Sequence, residues 1–257
     1  MFHQNFCPLD LFTQAKGGSP GRRSLLLEGG TRYRTDTAHM ESPSSSPRRL
    51  ALIGMSGAGK TFWTNKLAAE GWPAVSCDDR IEQKLASRLA AGEFAGIKGV
   101  AAWMGLPDSP TYAEREAQYL EEEIHTLDEV FADLERQPGK PLVLDTTGSV
   151  IYAGNHLLLR LRRQMTVVHL AVSLEEQQLL IERYLNDPKP VLWRGAFQPK
   201  RGEKPRETVA RCYPILIAAR RQSYEALAHC RVNMAELRDP ALNVKVFLEK
   251  IQQQLAR

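Results

Sequence analysis

Residues 50–63 read LALIGMSGAGKTFW, an apolar run that breaks into glycines and ends in a lysine and a threonine followed by aromatic residues. From Gly54 to Thr61 the spacing is G-x-x-x-x-G-K-T, the pattern of a phosphate-binding loop. Glycines let backbone N–H groups approach phosphate oxygens, and the following helix adds the positive end of its dipole. The stretch therefore predicts a nucleoside triphosphate site directly after a buried strand.

The polar positions of this loop have distinct chemical roles. Lys60 supplies a positive charge for the β and γ phosphates, and the Thr61 hydroxyl is a ligand for Mg²⁺. ATP and Mg²⁺ are the cofactors that we expect. The alternative is a glycine-rich turn with a surface lysine, but the helical pattern that follows the loop disfavours it. The remaining loop positions predicted to bind the nucleotide are Gly54, Ser56, Gly57, Ala58 and Gly59.

Composition limits the class of protein. The chain has 257 residues, of which 43% are hydrophobic, enough for one α/β domain with a core. Of the net charge of +4, residues 1–49 carry +3 and the rest only +1. A nearly neutral domain gives no reason to expect a nucleic-acid partner.

The four cysteines show no C-x-x-C spacing, which argues against a zinc site and against a disulfide framework. The simplest interpretation is a reduced, cytoplasmic protein. No apolar stretch approaches the length of a membrane span, so we expect no membrane association. We also expect the protein to be a monomer.

Residues 1–49 are rich in glycine, serine, proline and arginine and contain no long apolar run. They are predicted to form a disordered tail, or to be an over-extended start with Met40 as the true first residue. Organelle targeting is a further alternative, which the four acidic residues of the segment weaken. The predicted domain therefore spans residues 50–257.

Beyond residue 49, short apolar strands alternate with helical patterns, which predicts a parallel sheet with helices on both faces: a three-layer α/β fold. Ligands in such sheets bind at the carboxyl ends of the strands. In residues 112–137 an apolar stripe at helical spacing predicts core packing, and the acids Glu121–Glu123 predict a solvated face. The predicted strands are 50–54, 74–76, 141–145, 167–172 and 231–234; the predicted helices are 60–70, 79–91, 112–137, 155–163, 174–185, 207–228 and 240–255.

Acidic residues follow two of the strands. In SCDDRIE, Asp78 is predicted to be functional, and Asp79 to face solvent or cap the next helix. In PLVLDTTGS, Asp145 ends an apolar strand and is predicted to hold Mg²⁺, directly or through water. Gly148 lies in the small-residue turn after it, where a substrate could approach the backbone. The alternative for Asp145 is a carboxylate that only caps a turn.

Two basic regions lie further along the chain. Residues 186–207 are rich in proline, glycine and cations, and a connection of this length between helices is often a lid that brings a cation such as Lys189 to the phosphates. An ordinary surface loop is the alternative. Arg220 and Arg221 are adjacent on a predicted helix, so they face different directions and only one can reach the site.

The order of these motifs resembles the shikimate kinase family of P-loop kinases from Leu50 to about Asn233. GMSGAGKT resembles the family's phosphate loop, and DDRIEQ resembles the segment that begins with its substrate-binding aspartate, here Asp78. KPVL resembles the lid motif, with Lys189 in place of an arginine. RRQSYEALA resembles the late helix, in which Arg220 would bind the substrate carboxylate. The resemblance implies a sheet order of 2-3-1-4-5 and phosphorylation of an alcohol.

The acceptor half departs from the family pattern. Ser76 stands where the family has a second aspartate, and Ala113 stands where it has an arginine. Residues 147–149 read TGS where the family has three glycines, and the family has no acid that matches Asp145. We therefore expect a kinase for a compact, anionic acceptor, with shikimate first and a sugar acid such as gluconate or a nucleoside as rivals. Other classes remain open: a non-catalytic ATP-binding switch, and a nucleotide-dependent partner of RNA or another macromolecule.

Overall fold

The structure is a computed structural model that describes residues 47–237, 239 and 242–257. The predictions for the N-terminal tail, including the alternative start at Met40, fall almost wholly on residues 1–46 and lie outside the described residues. The described chain forms an α/β unit whose sheet starts at Arg49.

Five strands form one parallel sheet in the order β2-β3-β1-β4-β5, which confirms the predicted order. The central strand β1 is the apolar run that precedes the phosphate loop, and Leu50 to Ile53 are completely buried because helices cover the sheet. The strands are β1 Arg49–Ile53, β2 Ala74–Ser76, β3 Leu142–Asp145, β4 Thr166–Ala171 and β5 Cys230–Asn233.

Helices connect the strands and surround the sheet. The seven predicted helices are present with shifted ends, whereas α3 and the short α8 were not predicted. The helices are α1 Lys60–Ala69, α2 Cys77–Ala90, α3 Gly96–Met104, α4 Tyr112–Arg136, α5 Asn155–Gln164, α6 Leu174–Asn186, α7 Pro205–Leu227, α8 Met234–Leu237 and α9 Val244–Leu255; a 3₁₀ turn covers Val150–Tyr152.

The core is continuous on both sides of the sheet. Trp63 of α1 stacks on Phe247 of α9 with ring centroids 4.4 Å apart, which fixes α9 beside the helix of the phosphate loop. On α4, Val130 and Phe131 are buried with other members of the predicted stripe, so the core assignment of that stripe is confirmed. Among the described helices, none is both long and apolar enough to cross a membrane.

This topology brings three segments of the chain to one edge of the sheet. The carboxyl ends of β1, β2 and β3 point the same way because the strands are parallel and neighbouring. The phosphate loop follows β1, α2 begins directly after β2, and residues 146–149 follow β3. These three segments supply the candidate site.

Candidate active site

The phosphate loop has the backbone that its glycines predict. Gly57 and Gly59 have φ angles of +81° and +95°, in the left-handed region, and Gly54 has a φ of +140°. A Cβ at Gly54 would lie 2.7 Å from the Leu170 carbonyl oxygen, so only glycine fits there. Gly59 is the N-cap of α1 and makes no side-chain cap, which leaves the N–H groups of the first turn for an anion.

Lys60 lies over this loop. It is only 7% exposed, and its Nζ donates to the carbonyl oxygens of Gly54 at 3.1 Å and Met55 at 3.2 Å. The ammonium group is therefore held at the concave side of the loop, where phosphates would bind. Arg183 of α6 adds a second cation that the sequence analysis missed, and its Nη1 donates to the Gly57 carbonyl oxygen at 3.1 Å.

Thr61 and Asp145 meet across the site. The Thr61 hydroxyl donates to Asp145 Oδ2 at 2.6 Å, which brings together the two residues that the sequence predicts to hold Mg²⁺. The other carboxylate oxygen, Oδ1, is buried and has no hydrogen-bond partner among the described residues. Burial raises the pKa of Asp145 to about 6, against the opposing effects of Lys60 and the Thr61 hydrogen bond.

This pair suits Mg²⁺ in a nucleotide site. The described residues contain no cluster of three or more His, Cys, Asp or Glu side chains suited to a metal. Mg²⁺ in such sites needs few protein ligands, since phosphate and water oxygens complete its octahedron. The unpartnered Oδ1 of Asp145 and the Thr61 hydroxyl are oxygen donors of the required kind.

Asp78 lies at the start of α2, directly after β2. The Tyr119 hydroxyl of α4 donates to Asp78 Oδ1 at 3.0 Å, a contact that the sequence did not reveal. Burial raises the pKa of the Asp78 carboxyl, while the charge of Lys60 and the Tyr119 hydrogen bond oppose the shift. Ser76, two residues before Asp78, pairs in register with Asp145 of β3, and β3 neighbours β1, so Asp78 lies at the edge of the sheet that carries the phosphate loop.

Asp79 is exposed, as predicted, but it is not the helix cap. The cap of α2 is Ser76, whose Oγ accepts the Asp79 N–H at 3.2 Å. The N-cap position precedes the helix, and α2 starts at Cys77, two residues earlier than the sequence analysis placed it. Ser76 therefore has a structural role at the position where the motif resemblance leads us to expect a second aspartate.

The prediction that Glu121–Glu123 form a solvated face is wrong for Glu123. Its side chain is 1% exposed, and its carboxylate accepts hydrogen bonds from the hydroxyls of Thr147 and, at 2.7 Å, Ser149. Glu123 lies on the same side of α4 as the apolar stripe and therefore faces residues 146–149, which follow β3. Glu121 stays exposed.

Burial raises the pKa of Glu123 to about 7 from its ordinary 4.5, although the two hydroxyl hydrogen bonds oppose the shift. A carboxyl with a raised pKa stabilises the folded state fully below about pH 4.5, and that contribution is lost as the pH rises through about 7. Relative to Glu123→Gln, we expect the wild type to lose roughly 2–3 kcal/mol of unfolding free energy across this range. Chemical denaturation at several pH values measures the difference.

Glu122→Gln is the matched control for this prediction. Glu122 is the preceding residue of α4 and pairs with Arg88 of α2 at 3.1 Å. Its pH profile should follow that of the wild type. A Glu123→Gln profile parallel to that of the wild type would show that Glu123 does not titrate in this range.

Arg220 contacts Gly148 in the turn that follows β3. Arg220 is 2% exposed; its Nη1 donates to the Gly148 carbonyl oxygen at 2.8 Å and its Nη2 to that of Leu192 at 2.6 Å. A Cβ at Gly148 would lie 3.4 Å from the Ser56 nitrogen, so Gly148 lies against the phosphate loop. The acceptor-binding roles of both residues stay predictions. Arg221 points outward and pairs with Glu225, which confirms that the two arginines face different directions.

Lys189 lies near the phosphate loop, in the segment between α6 and α7. It pairs with Asp187 at 3.8 Å and lines a cavity of about 140 Å³ together with Ser56, Gly57 and Tyr213. The middle of the segment is packed, since Leu192 and Trp193 are buried. The lid function of residues 186–207 stays a prediction.

The sheet order, the phosphate loop at the end of β1 and the Thr61–Asp145 pair define a P-loop kinase fold. Among solved structures, the chain is similar to a shikimate kinase from Acinetobacter baumannii in complex with shikimate, with a TM-score of 0.53 and 22% identity over 82% of this chain and 94% of that one. It is also similar to the shikimate kinase from Bacteroides thetaiotaomicron, with a TM-score of 0.50 and 20% identity over 81% and 98% of the two chains. No protein-family model matches the sequence, and no curated protein is significantly similar to it. The resemblance to shikimate kinases is thus confirmed at the level of the fold.

Proposed function

We propose that the protein is an ATP-dependent small-molecule kinase that transfers the γ-phosphoryl group to a hydroxyl of a compact, anionic acceptor. The observation that carries this proposal is the position of Asp78, a half-buried carboxylate at the start of α2, two residues after Ser76, which pairs in register with Asp145. A protein that used ATP only as a switch would not need such a group. Asp78 therefore favours catalysis over a non-catalytic nucleotide-binding role.

The loop residues bind the donor in this proposal. The N–H groups around Gly57 and Gly59 and the ammonium of Lys60 hold the phosphates, and Lys189 approaches the transferring group from the segment before α7. Thr61 and Asp145 would hold Mg²⁺. Bound Mg²⁺ neutralises charge on the β and γ phosphates.

Asp78 acts on the acceptor. It orients the hydroxyl and receives its proton as the new bond forms between the acceptor oxygen and the γ-phosphorus. The bond from that phosphorus to the β–γ bridging oxygen breaks, and ADP leaves. The raised pKa of Asp78 makes it a better proton acceptor than an ordinary aspartate.

Shikimate is the first acceptor to test, because Asp78 and Arg220 occupy the positions that the motif resemblance assigns to shikimate binding. Ala113 weakens this choice, and Arg115 does not replace the missing arginine. Arg115 donates to the Trp103 carbonyl oxygen and lies 5.6 Å from the Trp103 ring centroid. Gluconate-like sugar acids and nucleosides therefore belong in the same screen.

The test is an ADP-release assay with ATP and Mg²⁺ over a panel of hydroxy acids, sugars and nucleosides. Acceptor-dependent ADP release, with the phosphorylated product found by mass spectrometry, would support the proposal. Tight ATP binding without turnover of any panel member would favour the switch. A cytoplasmic location and a monomeric state belong to the same proposal, and the three free thiols of the described residues fit a reducing compartment.

Asp145→Asn should raise the Mg²⁺ concentration needed for half-maximal turnover by roughly tenfold or more, because the amide removes a charge from the proposed metal site. Titration of the ADP-release assay with Mg²⁺ measures this. Asp128→Asn is the control, since Asp128 pairs with Arg160 on the surface of α4. An unchanged Mg²⁺ requirement in Asp145→Asn would remove Asp145 from the metal site.

A further inference from the structure

The motifs assign the acceptor anion to Arg220, which is tied to the backbone. Each of its terminal nitrogens donates to a backbone carbonyl oxygen, and its guanidinium carbon lies 5.2 Å from the Tyr152 ring centroid. The side chain is 2% exposed. In this conformation Arg220 positions the backbone of the Gly148 turn, so a second, more accessible cation would serve an anionic acceptor.

Arg194 lies in a turn with an unusual backbone. The Ala196 N–H donates to the Trp193 carbonyl oxygen at 2.9 Å, and the two residues between them, Arg194 and Gly195, have φ angles of +47° and +82°. Positive φ is uncommon for a residue other than glycine, so the surroundings must hold it. Trp193 is buried, and its N–H donates to the Tyr112 hydroxyl at 2.8 Å.

The Arg194 guanidinium is weakly engaged. Its side chain is 47% exposed, and its ion pair with Glu116 has a long N–O distance of 3.8 Å. Glu116 Oε1 already accepts the Tyr112 hydroxyl at 2.8 Å and the Arg194 backbone N–H at 3.2 Å. Glu116 thus holds the turn through the Arg194 backbone N–H. The Arg194 guanidinium is left able to form a closer ion pair with another anion.

Two sets of contacts place Arg194 on the acceptor side. Its guanidinium carbon lies 5.6 Å from the Tyr152 ring centroid, and the same ring contacts Arg220 beside the Gly148 turn. Its partner Glu116 precedes Tyr119 by three residues on α4, so the two share a helix face. Tyr119 donates to Asp78.

We propose that Arg194 binds the anionic group, a carboxylate, of the acceptor while Asp78 orients its hydroxyl. This inference rests on the proposed kinase function and extends it to a residue outside the motifs that resemble the shikimate kinase family. The turn from Trp193 to Ala196 holds the Arg194 side chain over Tyr152. The acceptor anion then replaces Glu116 as its partner.

The experiment compares each hydroxy acid, shikimate and gluconate included, with its primary amide, at saturating ATP. Arg194→Gln should raise KM for the acid roughly 10- to 100-fold, the size of a lost charge-assisted pair, and change KM for the amide and for ATP little. Arg194→Asn is the second variant, because asparagine tolerates positive φ and so removes the charge without straining the turn. Arg201→Gln, an exposed arginine of the same segment, is the control and should behave as wild type.

Unchanged acid-over-amide selectivity in both Arg194 variants would overturn the inference while leaving kinase function intact. A wild type that prefers the amides would overturn it as well. A wild type that phosphorylates no panel member would overturn the proposed function together with the inference. Loss of acid selectivity in both variants, with the control unaffected, supports it.

Discussion

Lys60→Ala lowers phosphoryl transfer by at least about 10²-fold and weakens ATP binding, because the loop loses the charge that its glycines surround. Lys60 donates to the carbonyl oxygens of Gly54 and Met55 and is almost fully buried, so its removal takes a fixed charge out of the loop. The measurements are the ADP-release rate and ATP affinity by titration calorimetry.

Lys66→Ala is the matched control. Lys66 lies on the same helix, 4.9 Å from the Trp63 ring centroid, and donates to the Leu242 carbonyl oxygen at 3.3 Å. Its loss should lower stability slightly and leave turnover near that of the wild type. Near-normal activity in Lys60→Ala would mean that this loop is not the catalytic nucleotide site.

The candidate phosphate loop was predictable because its chemistry is local in sequence. Phosphate binding uses consecutive backbone N–H groups, so eight residues from Gly54 to Thr61 carry the whole signal. The strand before them is buried on both faces and must therefore read as an apolar run. Asp145 could be added because parallel strands end at one edge, and the Thr61 contact agrees with that argument.

The rest of the candidate site was less predictable because contacts between distant segments build it. Glu123 looked like one of three surface acids, and only its contacts with Thr147 and Ser149, more than 20 residues later, show that it is buried. Tyr119 contacts Asp78 across 41 residues. No local pattern encodes such contacts.

Helix α3 was missed for a different reason. Its sequence GIKGVAAWM contains two glycines, which lower helix propensity by about 1 kcal/mol each. Burial of Val100 and Trp103 supplies the compensating energy. Tertiary packing therefore overrides the local preference at this point, and a reading of periodicity alone cannot anticipate it.

Asp78→Asn should lower phosphoryl transfer by roughly 10²–10⁴-fold, the range for loss of a positioned acid–base group. Asparagine keeps the size of the side chain and can still accept the Tyr119 hydroxyl, but it cannot take the acceptor's proton. ATP affinity should stay nearly unchanged, because Asp78 does not belong to the phosphate loop. Single-turnover transfer and equilibrium ATP binding, measured on the same preparation, separate the two effects.

Asp79→Asn is the matched control for Asp78→Asn, and the capping of α2 predicts its effect. Asp79 is exposed, and the cap interaction uses its backbone N–H with Ser76, so the substitution removes only a charge near the positive end of α2. The cost should be a few tenths of a kcal/mol of stability, with normal turnover. Equal losses of turnover in both variants would contradict the assignment of the proton to Asp78. If neither variant lost activity in an enzyme that otherwise turns over, the catalytic role of this edge of the sheet would have to be abandoned.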